Sequence, residues 1–104
     1  MIGYDFHPEP LTDLDQIYEY IAEDSPEAAD RIIAEILSAI RGLVPFPHQG
    51  HKRADVTSHP VRFWRVRDYL IVYAADERPL WVIAVIHGRR NPRVIAAILR
   101  SREA

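Results

Sequence analysis

Leu80-Trp81-Val82-Ile83-Ala84-Val85-Ile86-His87-Gly88-Arg89-Arg90 holds seven apolar residues in a row, then an imidazole, a glycine and two guanidiniums. Seven is a strand length rather than a helix length. Both alternating faces are apolar, so the strand predicts cover on both sides. A strand that ends in His87, Arg89 and Arg90 places cations at the rim of a rigid sheet. Such a rim suits an anionic or planar partner.

Upstream, Asp76-Glu77-Arg78-Pro79 reads as a turn and Tyr69 to Ala75 as a second strand. Arg67-Asp68 reads as a tight turn after a third strand, Val61 to Arg67. Strands joined this closely form an antiparallel meander. Downstream, Asn91-Pro92 caps a short last helix with Val94, Ile95, Ile98 and Leu99 as its apolar stripe.

The first half is helical. Leu11, Leu14, Ile17, Tyr18 and Ile21 fall at helical spacing after the breaker His7-Pro8-Glu9-Pro10. Ser25-Pro26-Glu27 restarts the chain as an N-cap, a proline at the first helical position and an acid at the positive helix end. Ala29, Ile32, Ile33, Ile36, Leu37, Ile40 and Leu43 stripe a second helix from Pro26 to about Val44. So short a connection predicts an antiparallel helical hairpin. Ile2, Tyr4 and Phe6 alternate in an N-terminal strand, Met1 to Phe6. Residues 45–60 read as a proline-rich, polar, irregular loop. The expected fold is therefore α+β, one domain over residues 1–104, in the order β-α-α-β-β-β-α. The helical hairpin packs on one face of a small, mainly antiparallel sheet. The last helix is expected to cover only part of the other face, leaving much of it for a partner.

Composition narrows the class. The chain is 48% hydrophobic with no cysteine, which excludes a disulfide framework and a thiolate zinc site. No apolar run approaches the roughly 18 residues of a membrane span. The N-terminus has no basic region and no long apolar stretch, so a cytoplasmic protein without a signal peptide is expected. The net charge of -2 hides a segregation. Residues 1–44 carry ten acids and two bases, and residues 45–104 carry eleven bases and five acids. All of those bases except Lys52 are arginine, whose planar fork suits carboxylate or phosphate.

These pieces, in this order, resemble the RelE/ParE superfamily of bacterial toxins from type II toxin–antitoxin pairs. The resemblance rests on Asp13-Leu14-Asp15-Gln16-Ile17-Tyr18-Glu19-Tyr20-Ile21, Ser25-Pro26-Glu27-Ala28-Ala29 and Phe46-Pro47. Arg67-Asp68-Tyr69-Leu70-Ile71-Val72-Tyr73 and Val85-Ile86-His87-Gly88-Arg89-Arg90 complete it. It implies a RelE/ParE-like fold and one of two activities. RelE-like members cut messenger RNA on the ribosome and need clustered cations and a proton-transfer group. In those members an arginine usually occupies the position of Leu70. A leucine can neither hold a phosphate nor move a proton. The residues after Arg90 also offer no tyrosine or histidine, and a net-acidic chain fits a phosphate-rich site poorly.

The His-Gly-Arg-Arg strand end resembles the ParE-like branch, whose members poison DNA gyrase by binding rather than by chemistry. That resemblance implies a toxin that blocks replication, a role in plasmid stabilization and neutralisation by a ParD-type antitoxin. Operator DNA would then be reached only through the antitoxin. A ribosome-dependent RNase built on His87, Arg89, Arg90 and Arg62 is the alternative. A non-toxic family member that serves only complex assembly and operon repression is another.

The candidate partner- or target-binding residues are Arg62, Arg65, Trp64, Trp81, His87, Arg89, Arg90 and Arg93. His87 is either a general base or a residue that ends the strand with a hydrogen bond to backbone. Arg89 and Arg90 either meet a carboxylate, a gyrase surface or a DNA phosphate, or form a solvated turn. Arg62 and Arg65 lie on opposite faces of one strand, so at most one joins a given cluster. Trp64 and Trp81 are interface anchors or core residues. Tyr69 and Tyr73 share a face and suit the core. Gly88 suits a backbone angle that other residues avoid. His48, His51 and His59 sit on a loop without the four-ligand geometry of a structural metal site. No cofactor motif and no metal site is expected.

Overall fold

The computed structural model describes residues 3–102. Its centre is the apolar run, β4, Leu80–His87. β1 (Tyr4–Phe6), β2 (Arg62–Val66) and β3 (Tyr69–Ala74) complete a four-stranded sheet in the order β1-β4-β3-β2. The meander β2-β3-β4 is antiparallel, and β1 adds in parallel to the first half of β4. Met1 and Ile2, assigned to the first strand from the sequence, lie outside the described residues. All six residues of β3 are buried, as a strand covered on both faces requires.

Each helix forms where its local signals place it. α1 spans Pro8–Ala22, α2 Pro26–Leu43 and α3 Pro92–Arg102. Ser25 caps α2, its Oγ accepting from the Ala28 backbone N–H at 3.1 Å. The α1–α2 hairpin lies on one sheet face. Leu14, Ile17, Ile36, Ile40 and Leu43 pack there against Tyr69, Ile71, Tyr73, Leu80, Val82 and Val85. Leu11, placed on the apolar stripe of α1 by its spacing, is instead 50% exposed. It sits at the N-terminal end of the helix, where Pro10 is the buried residue.

The opposite face is more closed than the sequence suggests. Leu70, Val72, Ala84 and Ile86 are all buried beneath Val56, Val61, Phe63, Ile95 and Leu99. The loop read as irregular supplies Val56, and Val61 lies just before β2. His51 exchanges both backbone hydrogen bonds with Phe63, at 2.9 and 2.8 Å, which draws the loop across the sheet. The expected open sheet face is therefore filled by the chain's own loop and α3. A cavity of about 410 Å³ opens there, bordered by His7, Pro60, Ala74, Ile83 and Leu99.

β4 carries an irregularity that decides which sheet face His87 lies on. Val72 pairs with Ala84 but Tyr73 pairs with Val82, so Ile83 is an extra residue in the strand. Such a bulge shifts side-chain alternation by one. Leu80 and Val82 face the helical hairpin before it, and Val85 does so after it. His87, two residues further, consequently lies on the hairpin side with Tyr69.

Candidate functional site

The end of β4 gathers several of the sequence candidates. His87 pairs in register with Tyr69, and their rings meet edge to face at 5.3 Å. Its Nδ1 accepts from the Arg89 backbone N–H at 3.1 Å. Its Nε2 has no hydrogen-bond partner among the described residues. Gly88 does not have the positive φ expected of it. It sits in a close approach instead. Its N–H donates to Asp68 O at 2.6 Å, and a Cβ there would stand 3.2 Å from that oxygen.

Beside His87 opens a cavity of about 340 Å³. Gln16, Ile17 and Tyr20 of α1 form one wall, Tyr69 and His87 the floor, and Arg90 the rim. The Tyr69 phenol is pushed above its ordinary range by burial first, then by Asp68 and Tyr20, so it stays neutral and able to donate. A neutral phenol, an imidazole edge and a guanidinium suit a carboxylate or phosphate oxygen.

At the inner end of this cavity, Asp13 and Arg102 close the edge of β4. β1 pairs only as far as Val82, so Ile83 to His87 have no strand neighbour on that side among the described residues. Asp13 Oδ2 accepts from Val85 N–H at 3.0 Å, and Arg102 donates to Ile83 O at 3.1 Å. The two side chains bind each other in a fork, at 2.6 and 2.8 Å. Only 13% and 15% of their side-chain surfaces are exposed. The Asp13 carboxylate raises the Arg102 guanidinium further above its ordinary range. An ion pair thus stands where a strand would, which blunts an edge open to unwanted pairing. Sequence reasoning missed this pair. The available signal was Asp13-Gln16-Ile17-Tyr20, an i, i+3, i+4, i+7 set that turns one face of α1 to the strand edge.

The remaining candidates lie elsewhere. Arg62 pairs with Tyr73, four positions along β3 from Tyr69, about 13 Å away at strand rise. Its guanidinium donates to His48 O at 3.3 Å and Gly50 O at 2.9 Å, pinning the loop. It does not join His87, Arg89 and Arg90. Arg65 is exposed and donates to Arg67 O at 3.0 Å. Trp64 packs half-buried on the hairpin side, and Trp81 is half-buried with its ring 5.1 Å from His7. Arg89, Arg90 and Arg93 are exposed. Among the described residues, no group of three or more His, Asp or Glu side chains could hold a metal ion. His48 instead bonds Asp76 at 2.6 Å.

Leu70, the position at which the RNase branch expects arginine, is 8% exposed and packed in the second core. The family model described as ParE toxin of type II toxin-antitoxin system, parDE, matches residues 4–92. The chain belongs to the ParE toxin family. A curated relative, "Putative toxin Y4kP" of Sinorhizobium fredii, is 29% identical over 86 residues, spanning 82% of this chain and 88% of the relative. A solved structure titled "Chromosomal ParDE TA system from P. aeruginosa" matches with a TM-score of 0.66. It covers 81% of this chain and 92% of its own at 19% identity, which shows a shared fold. This ParE-family chain has no helix among its described residues that is long and apolar enough to cross a membrane.

Proposed function

We propose that this ParE-family toxin acts by binding DNA gyrase and trapping its cleavage complex, without chemistry of its own. A ParD-type antitoxin would neutralise it. The observation that carries the reading is Leu70. A buried aliphatic side chain stands where phosphoryl-transfer chemistry would need a cation, and it packs against Phe63 and Ile86 of the same core. Arg62, the other strand arginine of the RNase alternative, is spent on the loop. What remains at the end of β4 is a recognition surface. His87, Tyr69 and Arg90 face a cavity and Arg89 stands beside it. The parDE family model and the ParDE title of the structural neighbour support a partner of the ParD kind.

The test is a supercoiling assay with purified gyrase and antitoxin-free toxin, scoring relaxed and cleaved plasmid separately. Lost supercoiling together with accumulated cleaved DNA supports the reading. Unchanged supercoiling by folded toxin that still binds its antitoxin would remove gyrase as the target.

A further inference from the structure

Outside α2, whose Arg31 and Arg41 are exposed, the arginines of this chain divide into two groups. Those of the sheet and its turns are occupied. Arg53 pairs with Asp55, Arg67 with Glu35, and Arg62, Arg65 and Arg78 donate to backbone carbonyls. The run from residue 89 to 102 contains five arginines and no acid. Of these only Arg102 is engaged, by Asp13. The side chains of Arg89, Arg90, Arg93 and Arg100 make no hydrogen bond or ion pair among the described residues, and all four residues are exposed.

α3 organises this charge. Ile95 and Leu99 bury one face of the helix in the second core. Arg93, Ala97 and Arg100 fall together on an outward face, since positions three, four and seven apart align. Arg93 and Arg100 lie about 10.5 Å apart along the axis, at 1.5 Å per residue. Arg89 and Arg90 extend the same charge past the helix start, toward the His87 cavity. Val94, 42% exposed, is the large apolar residue left uncovered there.

We propose that α3 and the Arg89-Arg90 turn form a binding surface for the phosphate backbone of duplex DNA. Guanidiniums held apart on a rigid convex helix match closely spaced phosphates, which are bound by charge and without apolar contact. Capture of an acidic peptide needs an apolar groove or a buried anchor besides charge. The cavities beside His87 and Leu99 flank α3, but Arg93 and Arg100 line neither of them. The ten acids of the first 44 residues bring the net charge to -2, but they belong mainly to the α1–α2 hairpin on the opposite sheet face. Asp13 and Glu9 of α1 reach only the Arg102 end of α3, and no acid pairs with Arg89, Arg90, Arg93 or Arg100 among the described residues.

The inference stands apart from the gyrase reading, because DNA alone is the ligand. The test is fluorescence anisotropy of a labelled 20-base-pair duplex titrated with antitoxin-free toxin at 50 and 200 mM salt. Four phosphate contacts give a log–log salt slope of about -3.6, a loss of affinity of roughly a hundredfold across that range. The double variant Arg93→Gln, Arg100→Gln should lower the slope by about two. The variant Arg41→Gln, an exposed arginine on α2, should leave it unchanged. Circular dichroism confirms that each variant is folded. Salt-insensitive binding, no binding at 50 mM salt, or equal losses in Arg41→Gln would overturn the proposal. So would equal affinity for a polyglutamate peptide of the same charge.

Discussion

Tyr73 shows how one side chain can hold a segment that carries little structure of its own. Its hydroxyl accepts from Gly50 N–H at 3.0 Å and donates to Pro47 O at 2.6 Å, both in buried positions. Gly50 admits this approach, because a Cβ there would collide with that hydroxyl and with Phe63 O. Tyr73→Phe leaves both backbone groups unsatisfied and is expected to cost about 1–3 kcal/mol in urea unfolding. Arg67 is a second such residue. It opens the β2–β3 turn with a φ of 53°, a region side chains avoid, and its guanidinium is clamped by Glu35 at 2.8–3.1 Å. The clamp holds the Glu35 carboxyl below the usual glutamate range. A depressed carboxyl stabilises the fold above its unfolded pKa, about 4.3, and that gain is lost as pH falls through its folded value. The melting-temperature gap between the wild type and Glu35→Gln should therefore be present at pH 7 and close at strongly acid pH. Leu70→Arg would bury a guanidinium without a partner and should cost about 3 kcal/mol or more, without producing RNA cleavage.

At the scale of elements, the strands and helices were legible because their signals are local. Ser25-Pro26 starts α2, Asp76 to Pro79 turns the chain into β4, and Asn91-Pro92 opens α3, all within a few residues. What stayed hidden depends on long-range pairing. The His51–Phe63 bridge closes the loop over the second face, and no periodicity in residues 51–60 announces it. The bulge at Ile83 carries neither glycine nor proline, yet it aims His87 at the hairpin side. The Asp13–Arg102 pair joins residues 89 apart in sequence. Asp13→Ala would leave Val85 N–H without its acceptor and Arg102 with only the Ile83 carbonyl. It should cost about 2–3 kcal/mol and speed amide exchange at Val85. Unchanged exchange there would show that α3 closes the edge without the ion pair.

For the whole molecule, the candidate site was legible as residues but not as a constellation. His87 and Arg90 meet at the cavity, Arg89, Arg93 and Arg100 extend outward, and Arg62 belongs to the loop at the other end of the sheet. On the proposed reading this surface binds its target without chemistry of its own. His87→Ala should then lower toxin potency less than tenfold, whereas removing a general acid or base costs about 10²–10⁴-fold. The most direct measurement of binding against chemistry is a titration of toxin into a fixed gyrase concentration, run beside a titration into translating ribosomes. Cleaved plasmid should rise in proportion to toxin and level off when the gyrase sites are filled, with transcripts left intact. Transcript cleavage at toxin concentrations far below that of the ribosomes, with gyrase unaffected, would contradict the account.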